Sequence, residues 1–115
     1  MYTLSIYHHG NILANINNEI IKGTLDDILK KIESWLKNID NNSVNNDNNN
    51  VKITICHEII ETYPVINRML ICDRSFKGYY TNYAIVDIDV NEQNIIKEYI
   101  SSFKFTNMKE IVMKN

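Results

Sequence analysis

Three histidines, two cysteines and a pair of alternating aspartates are the residues of this chain best equipped for chemistry. His8 and His9 are adjacent. In an extended chain their side chains point to opposite faces, so both cannot hold one ion. Zinc sites draw on Cys or His pairs separated by roughly two to four residues, and this sequence has no such pair beside His57, Cys56 or Cys72. Cys56 and His57 are the right types for a nucleophile and its base, but the two must meet in space. As consecutive strand residues they diverge. Asp87 and Asp89 flank Ile88, which would put both carboxylates on one face of a strand, with Glu58 and Glu61 as further acids. Paired acids can hold a divalent cation or act as acid and base. The plainer reading is the solvated face of a strand. The sequence has no glycine-rich phosphate loop, no HExxH and no Ser-His-Asp spacing. No metal or cofactor is expected, and a binding protein fits better than an enzyme.

The segment DRSFKGYYTNY is the best candidate for binding. It gathers Arg74, Lys77, Tyr79, Tyr80 and Tyr83 around one turn. Arginine and lysine meet phosphates or carboxylates, and tyrosine supplies rigid contact area or a stacking surface. Protein interfaces are enriched in Tyr and Arg for the same reasons. The competing reading is a strand whose large side chains pair across to their neighbours.

Several elements must position these residues. The safest is a helix from Leu25 to about Ile39. Gly23 breaks the preceding strand, Thr24 is a good N-cap, and Asp26 and Asp27 sit where the helix dipole favours negative charge. Leu25, Ile28, Leu29, Ile32, Trp35, Leu36 and Ile39 form one apolar stripe. Asp26–Lys30, Asp27–Lys31 and Glu33–Lys37 are spaced for ion pairs on the outer surface. A second helix, capped by Asn91, would place Ile95, Ile96, Tyr99, Ile100 and Phe103 on its apolar side.

Alternation predicts strands elsewhere. The opening YTLSIYHHGNILANI pairs as a hairpin through a three-residue loop, His9-Gly10-Asn11. That register sets Ile6 opposite Ala14 and Leu4 opposite Ile16, and it separates apolar from polar residues. The chain then either continues through Ile20 or bends into a short strand, Glu19 to Lys22. VKITICHEII is a strand ended by Tyr63-Pro64. RMLICDR is another, and Tyr79 to Val90 returns as a long one. The tail MKEIVMKN reads equally as strand or helix.

The order is thus β-β-(β)-α-loop-β-β-β-α. Short connections favour antiparallel pairing. The expected fold is one α+β domain over residues 1–115, a mostly antiparallel sheet of about five strands with two amphipathic helices on one face. An uncapped sheet edge would allow a homodimer.

NNSVNNDNNN, residues 41–50, cannot be buried as a block, because each asparagine carries two donors and an acceptor oxygen that need partners. It is expected to be a flexible, solvated loop that tolerates insertion. Isoleucine and asparagine make up about a third of the chain, while Ala, Gly and Pro are scarce. That bias points to an A/T-rich genome, such as a low-GC bacterium or its phage. The formal net charge of -2 argues against a general nucleic-acid binder. No apolar stretch spans a bilayer, and the N-terminus lacks a basic segment followed by an apolar run. A cytoplasmic location with reduced thiols is expected.

The hairpin followed by GTLDDILKKIESWL resembles the opening of HicB-type antitoxins over about the first third of the chain. The proline-, glycine- and cysteine-bearing segment typical of that family is missing here, so the resemblance assigns no family. The reading that results is a small binding protein that occludes a partner protein, of the inhibitor, immunity-protein, antitoxin or phage anti-defence kind. Its rivals are a nucleotide- or RNA-binding module using the turn at 74–83, and a small enzyme with a carboxylate or Cys/His site.

Overall fold

The computed structural model describes residues 1–9, 16–42, 52–74, 81–105 and 110–114. In chain order the elements are β1 (Tyr2–His9), β2 (Ile16–Gly23), α1 (Leu25–Asn42), β3 (Lys52–Ile60), β4 (Ile66–Arg74), β5 (Thr81–Asp87), α2 (Val90–Ser101) and β6 (Glu110–Lys114). The strands form one sheet in the order β2-β1-β5-β4-β3-β6. The first five run antiparallel to their neighbours, and β6 adds to β3 in parallel. The α+β class, the antiparallel five-stranded body and the two helices are as the sequence predicts. The tail, undecided from sequence, is a strand.

Alternation explains which side of the sheet is buried. Leu4 and Ile6 of β1, Ala84 and Val86 of β5, Met69 and Ile71 of β4, and Ile53 and Ile55 of β3 all point to one face and are buried. Ile28, Ile32, Trp35, Leu36 and Ile39 of α1 and Ile96 and Ile100 of α2 complete the same core. Both helices therefore lie on this inner face. Each fully buried Leu, Ile or Val is worth ~1.5–3 kcal/mol, so these residues fix the helices on the sheet.

The junction from β2 into α1 is built from three residues. Thr24 Oγ1 accepts from the Asp27 backbone N–H at 3.3 Å, and Asp27 Oδ2 accepts from the Thr24 N–H and hydroxyl, both at 3.0 Å. This reciprocal cap satisfies otherwise orphaned donors at the helix start. A Cβ on Gly23 would stand 2.6 Å from Asp27 Oδ2, so glycine makes room for the cap.

Several sequence expectations need correction. The opening hairpin has a different register, with Leu4 opposite Ile21, Ile6 opposite Glu19 and His9 opposite Ile16. In this register β2 runs to Gly23 opposite Tyr2, directly ahead of α1. β2 is an edge strand, so strict alternation is not enforced there. Its Ile20 lies on the outer face, 62% exposed.

Asn91 does not cap α2. Asp89 is the N-cap residue, in extended backbone, and its carbonyl accepts from the Glu92 and Gln93 N–H groups at 3.0 Å each. Asp87 and Asp89 therefore do not share a strand face, because β5 ends at Asp87. Asp27 is occupied by the cap, and Lys31 pairs instead with Glu19 across to β2 at 2.9 Å. The expected pairs Lys30–Asp26 and Lys37–Glu33 form at 3.4 and 3.0 Å. α1 runs on through Asn42, so the asparagine run begins within a helix. The remainder of that expected loop, 43–50, lies outside the described residues.

Candidate partner-binding face

The outer face of the sheet carries no described helix, and its centre is apolar and aromatic. Strand register assembles it row by row. Tyr7 of β1 pairs with Tyr83 of β5, which pairs with Cys72 of β4. In the next row, Ile20 of β2, Ser5, Ile85, Leu70 and Cys56 follow one another across five strands. Tyr7, Tyr83, Ile85, Leu70, Cys56 and Cys72 are each partly accessible. The rings of Tyr7 and Tyr83 stack with centroids 4.7 Å apart and planes 17° apart. Below them Arg68 pairs with Asp87 at 3.2 Å, which leaves this part of the face with little net charge.

Of the residues expected to bind a partner, Tyr83 belongs to this face. Arg74 ends β4 and its backbone pairs with Thr81 and Lys52. Lys77, Tyr79 and Tyr80 lie outside the described residues. The strand ends still place their attachment. His9, Ile16, Arg74, Thr81, Lys52 and Glu110 all stand at one end of the sheet. The chain between Arg74 and Thr81 is joined to that end, two residues from the Tyr7–Tyr83 stack. Tyr7 is not distinguishable in the sequence from an ordinary hairpin residue, because its partner Tyr83 lies on a distant strand. What signal there is lies in the odd-numbered residues of β1, which face away from Leu4 and Ile6.

The remaining candidates are not brought together. Cys56 stands on the outer face. His57 points to the inner face, where its Nδ1 lies 3.0 Å from Gln93 Oε1. Gln93 is buried and donates through Nε2 to the Ile88 carbonyl at 3.0 Å, so its oxygen is the acceptor and His57 Nδ1 carries a proton. His57 thus anchors α2 to β3. His8 and His9 end β1. Among the described residues no group of three or more His, Cys, Asp or Glu could hold a metal ion.

Two further contacts lock the helices. The Tyr2 hydroxyl donates to Glu92, which pushes the Tyr2 phenol above its ordinary pKa. The Tyr99 hydroxyl donates to Glu33 Oε2 at 3.0 Å and ties α2 to α1. Its pKa is raised by that bond, while Glu33 is lowered by its bonds from Lys37 and Tyr99. A cleft of about 520 Å³ between α1 and β2 is bordered by Glu19, Lys31, Glu33, Trp35 and Lys37. Lys31 and Lys37 are committed to ion pairs there. No described helix is long and apolar enough to cross a membrane.

Comparison with family models, curated proteins and solved structures finds no match to this chain, so its function must be argued from its own surface.

Proposed function

We propose that this chain is a non-enzymatic binding protein that works by occupying a partner protein's surface. The contact is the outer sheet face, using Tyr83, together with Arg74, Lys77, Tyr79 and Tyr80 of the segment that joins β4 to β5. One observation carries this reading: the stacked Tyr7–Tyr83 pair stands on a face with no described helix over it. Large aromatic side chains held rigid on an accessible sheet lose little entropy on binding and contribute much contact area. The apolar row through Leu70 and Ile85 extends the same surface. An occluding inhibitor, immunity protein, antitoxin or anti-defence protein needs only such a surface.

A nucleotide- or RNA-binding role is the second reading, since tyrosines on an open sheet can stack bases. The two rings stack on each other, and Arg68 on this face is already paired with Asp87 rather than free to meet a phosphate. A protein partner therefore fits better.

The test is quantitative co-purification from the source cells with the full chain as bait. Replacing Arg74, Lys77, Tyr79 and Tyr80 together should abolish capture of a stoichiometric protein while the thermal unfolding midpoint stays within a few degrees, and Tyr83→Ser should abolish it in a chain that still unfolds cooperatively. Retained capture by both variants would reject the assigned face. Binding of a labelled oligonucleotide that weakens steeply with salt would favour the second reading.

A further inference from the structure

The opposite end of the sheet holds a second surface with different chemistry. β3 and β4 are joined there by residues 61–65, with Ile60 paired to Ile66. α2 begins at the same end, because the Ile88 N–H donates to the Asn67 carbonyl at 3.2 Å and Asn67 pairs with Ile59. Four of the large apolar residues that the fold leaves in solvent gather here. Tyr63 is fully exposed, Ile59 and Val65 are each 58% exposed, and Val90 is 52% exposed. Scattered single exposures need no explanation, but several at one end of a small domain mark an interaction site.

The charge around them is one-sided. Residues 57–68 and 87–93 contain Glu58, Glu61, Asp87, Asp89 and Glu92 against a single arginine, Arg68. Arg68 is already paired with Asp87. Glu58, Glu61 and Asp89 are exposed. These two segments are therefore more acidic than the chain as a whole, whose net charge is -2.

We propose that this end docks a protein whose surface presents lysine or arginine around an apolar anchor. The apolar residues would supply the buried centre of the contact, and the acidic rim would select and steer a basic partner. Nucleic acid is the wrong occupant, since phosphates would meet carboxylates. This surface lies at the far end of the strands from Arg74 and Thr81, away from the Tyr7–Tyr83 stack, and it shares only Glu58 and the Arg68–Asp87 pair with the outer face.

The experiment uses isotope-labelled full-length chain and a defined probe, a synthetic amphipathic helical peptide alternating lysine with leucine and tryptophan. A counterpart with glutamate in place of lysine is the control. The basic peptide should shift the resonances of Ile59, Glu61, Val65 and Val90, and the acidic one should not. Affinity should fall at least tenfold in a Tyr63→Ser, Val65→Ser double variant. A Glu58→Lys, Glu61→Lys double variant should lose it as well, and because both residues are exposed this second variant keeps the test valid if the first fails to fold. Several outcomes would overturn the proposal. The peptide shifts other residues or none; both peptides bind alike; or a duplex oligonucleotide shifts this end. A sedimenting dimer that the Tyr63→Ser, Val65→Ser variant converts to monomer would also overturn it, by making a second copy the occupant.

Discussion

Tyr7 and Tyr83 lie ring over ring, 4.7 Å between centroids, as direct cross-strand partners on the face of the sheet away from both helices. An aromatic pair of this kind is worth about 0.5–1.5 kcal/mol beyond the area it buries. It also fixes two large rings in one place before any partner arrives, which reduces the entropy lost on binding. The pair therefore links stability of the β1–β5 seam to the function proposed for the face.

That link can be measured. Tyr7→Ala and Tyr83→Ala should each destabilise the fold by about 1–2 kcal/mol, and the double variant by less than the sum. Urea unfolding of the four proteins yields the coupling. Strict additivity would mean the rings do not support each other.

Gln93 is the buried polar residue that joins β3, the β5–α2 connection and α2. Gln93→Leu should cost about 1–3 kcal/mol, because it leaves the Ile88 carbonyl without that donor and His57 Nδ1–H without an acceptor. In the wild-type protein, nitrogen NMR should find His57 protonated at Nδ1. A neutral Nε2–H tautomer would contradict the geometry.

Trp35 is nearly fully buried in the core, and its indole N–H has no hydrogen-bond partner among the described residues. Trp35→Phe removes that unsatisfied donor along with some apolar area, so the two effects oppose each other and the net change should stay within about 1 kcal/mol. Leu36→Ala, at a wholly buried neighbouring position, should cost about 2–5 kcal/mol. Thermal unfolding of the two variants checks the contrast.

Acid should loosen the helices through two carboxylates. Asp27 is held below its ordinary pKa by its bonds from the Thr24 backbone and hydroxyl, and Glu33 by its bonds from Lys37 and Tyr99. A lowered folded pKa means the stabilisation is complete above the unfolded value and lost as pH falls through the folded one. Tyr99 carries the opposite sign. Its raised pKa gives stability that is present below about pH 10 and lost as pH rises through the folded value. The Asp27→Asn, Glu33→Gln variant should start less stable at neutral pH and show a flatter decline between about pH 5 and pH 3. Parallel curves for variant and wild type would contradict these assignments.

The helix stripe from Leu25 to Ile39 and the alternation in β3 were legible because each buried face is continuous and periodic. The β1–β2 register was not. Alternation alone favours Ile6 against Ala14, whereas β2 runs on to Gly23 and pairs Leu4 with Ile21. That pairing leaves no local signature. Tyr83 stands out by type as a candidate contact residue, but its stacking partner Tyr7 is recognisable only once β1 and β5 are known to be neighbours. Ile59, Tyr63 and Val65 were passed over because exposed apolar residues at a strand end look in sequence like core residues.

The central claim is that the outer sheet face, and not the helix side, meets the partner. Two sets of surface variants would be compared by quantitative co-purification from source cells. One set changes Tyr7 and Tyr83 to Ser, Leu70 to Thr and Ile85 to Thr. The other changes Lys30, Ser34 and Asn94 to Ala on the solvent side of the helices. Loss of a stoichiometric protein partner with the first set alone is the predicted result. Loss with the helix set, and full retention with folded outer-face variants, would contradict it.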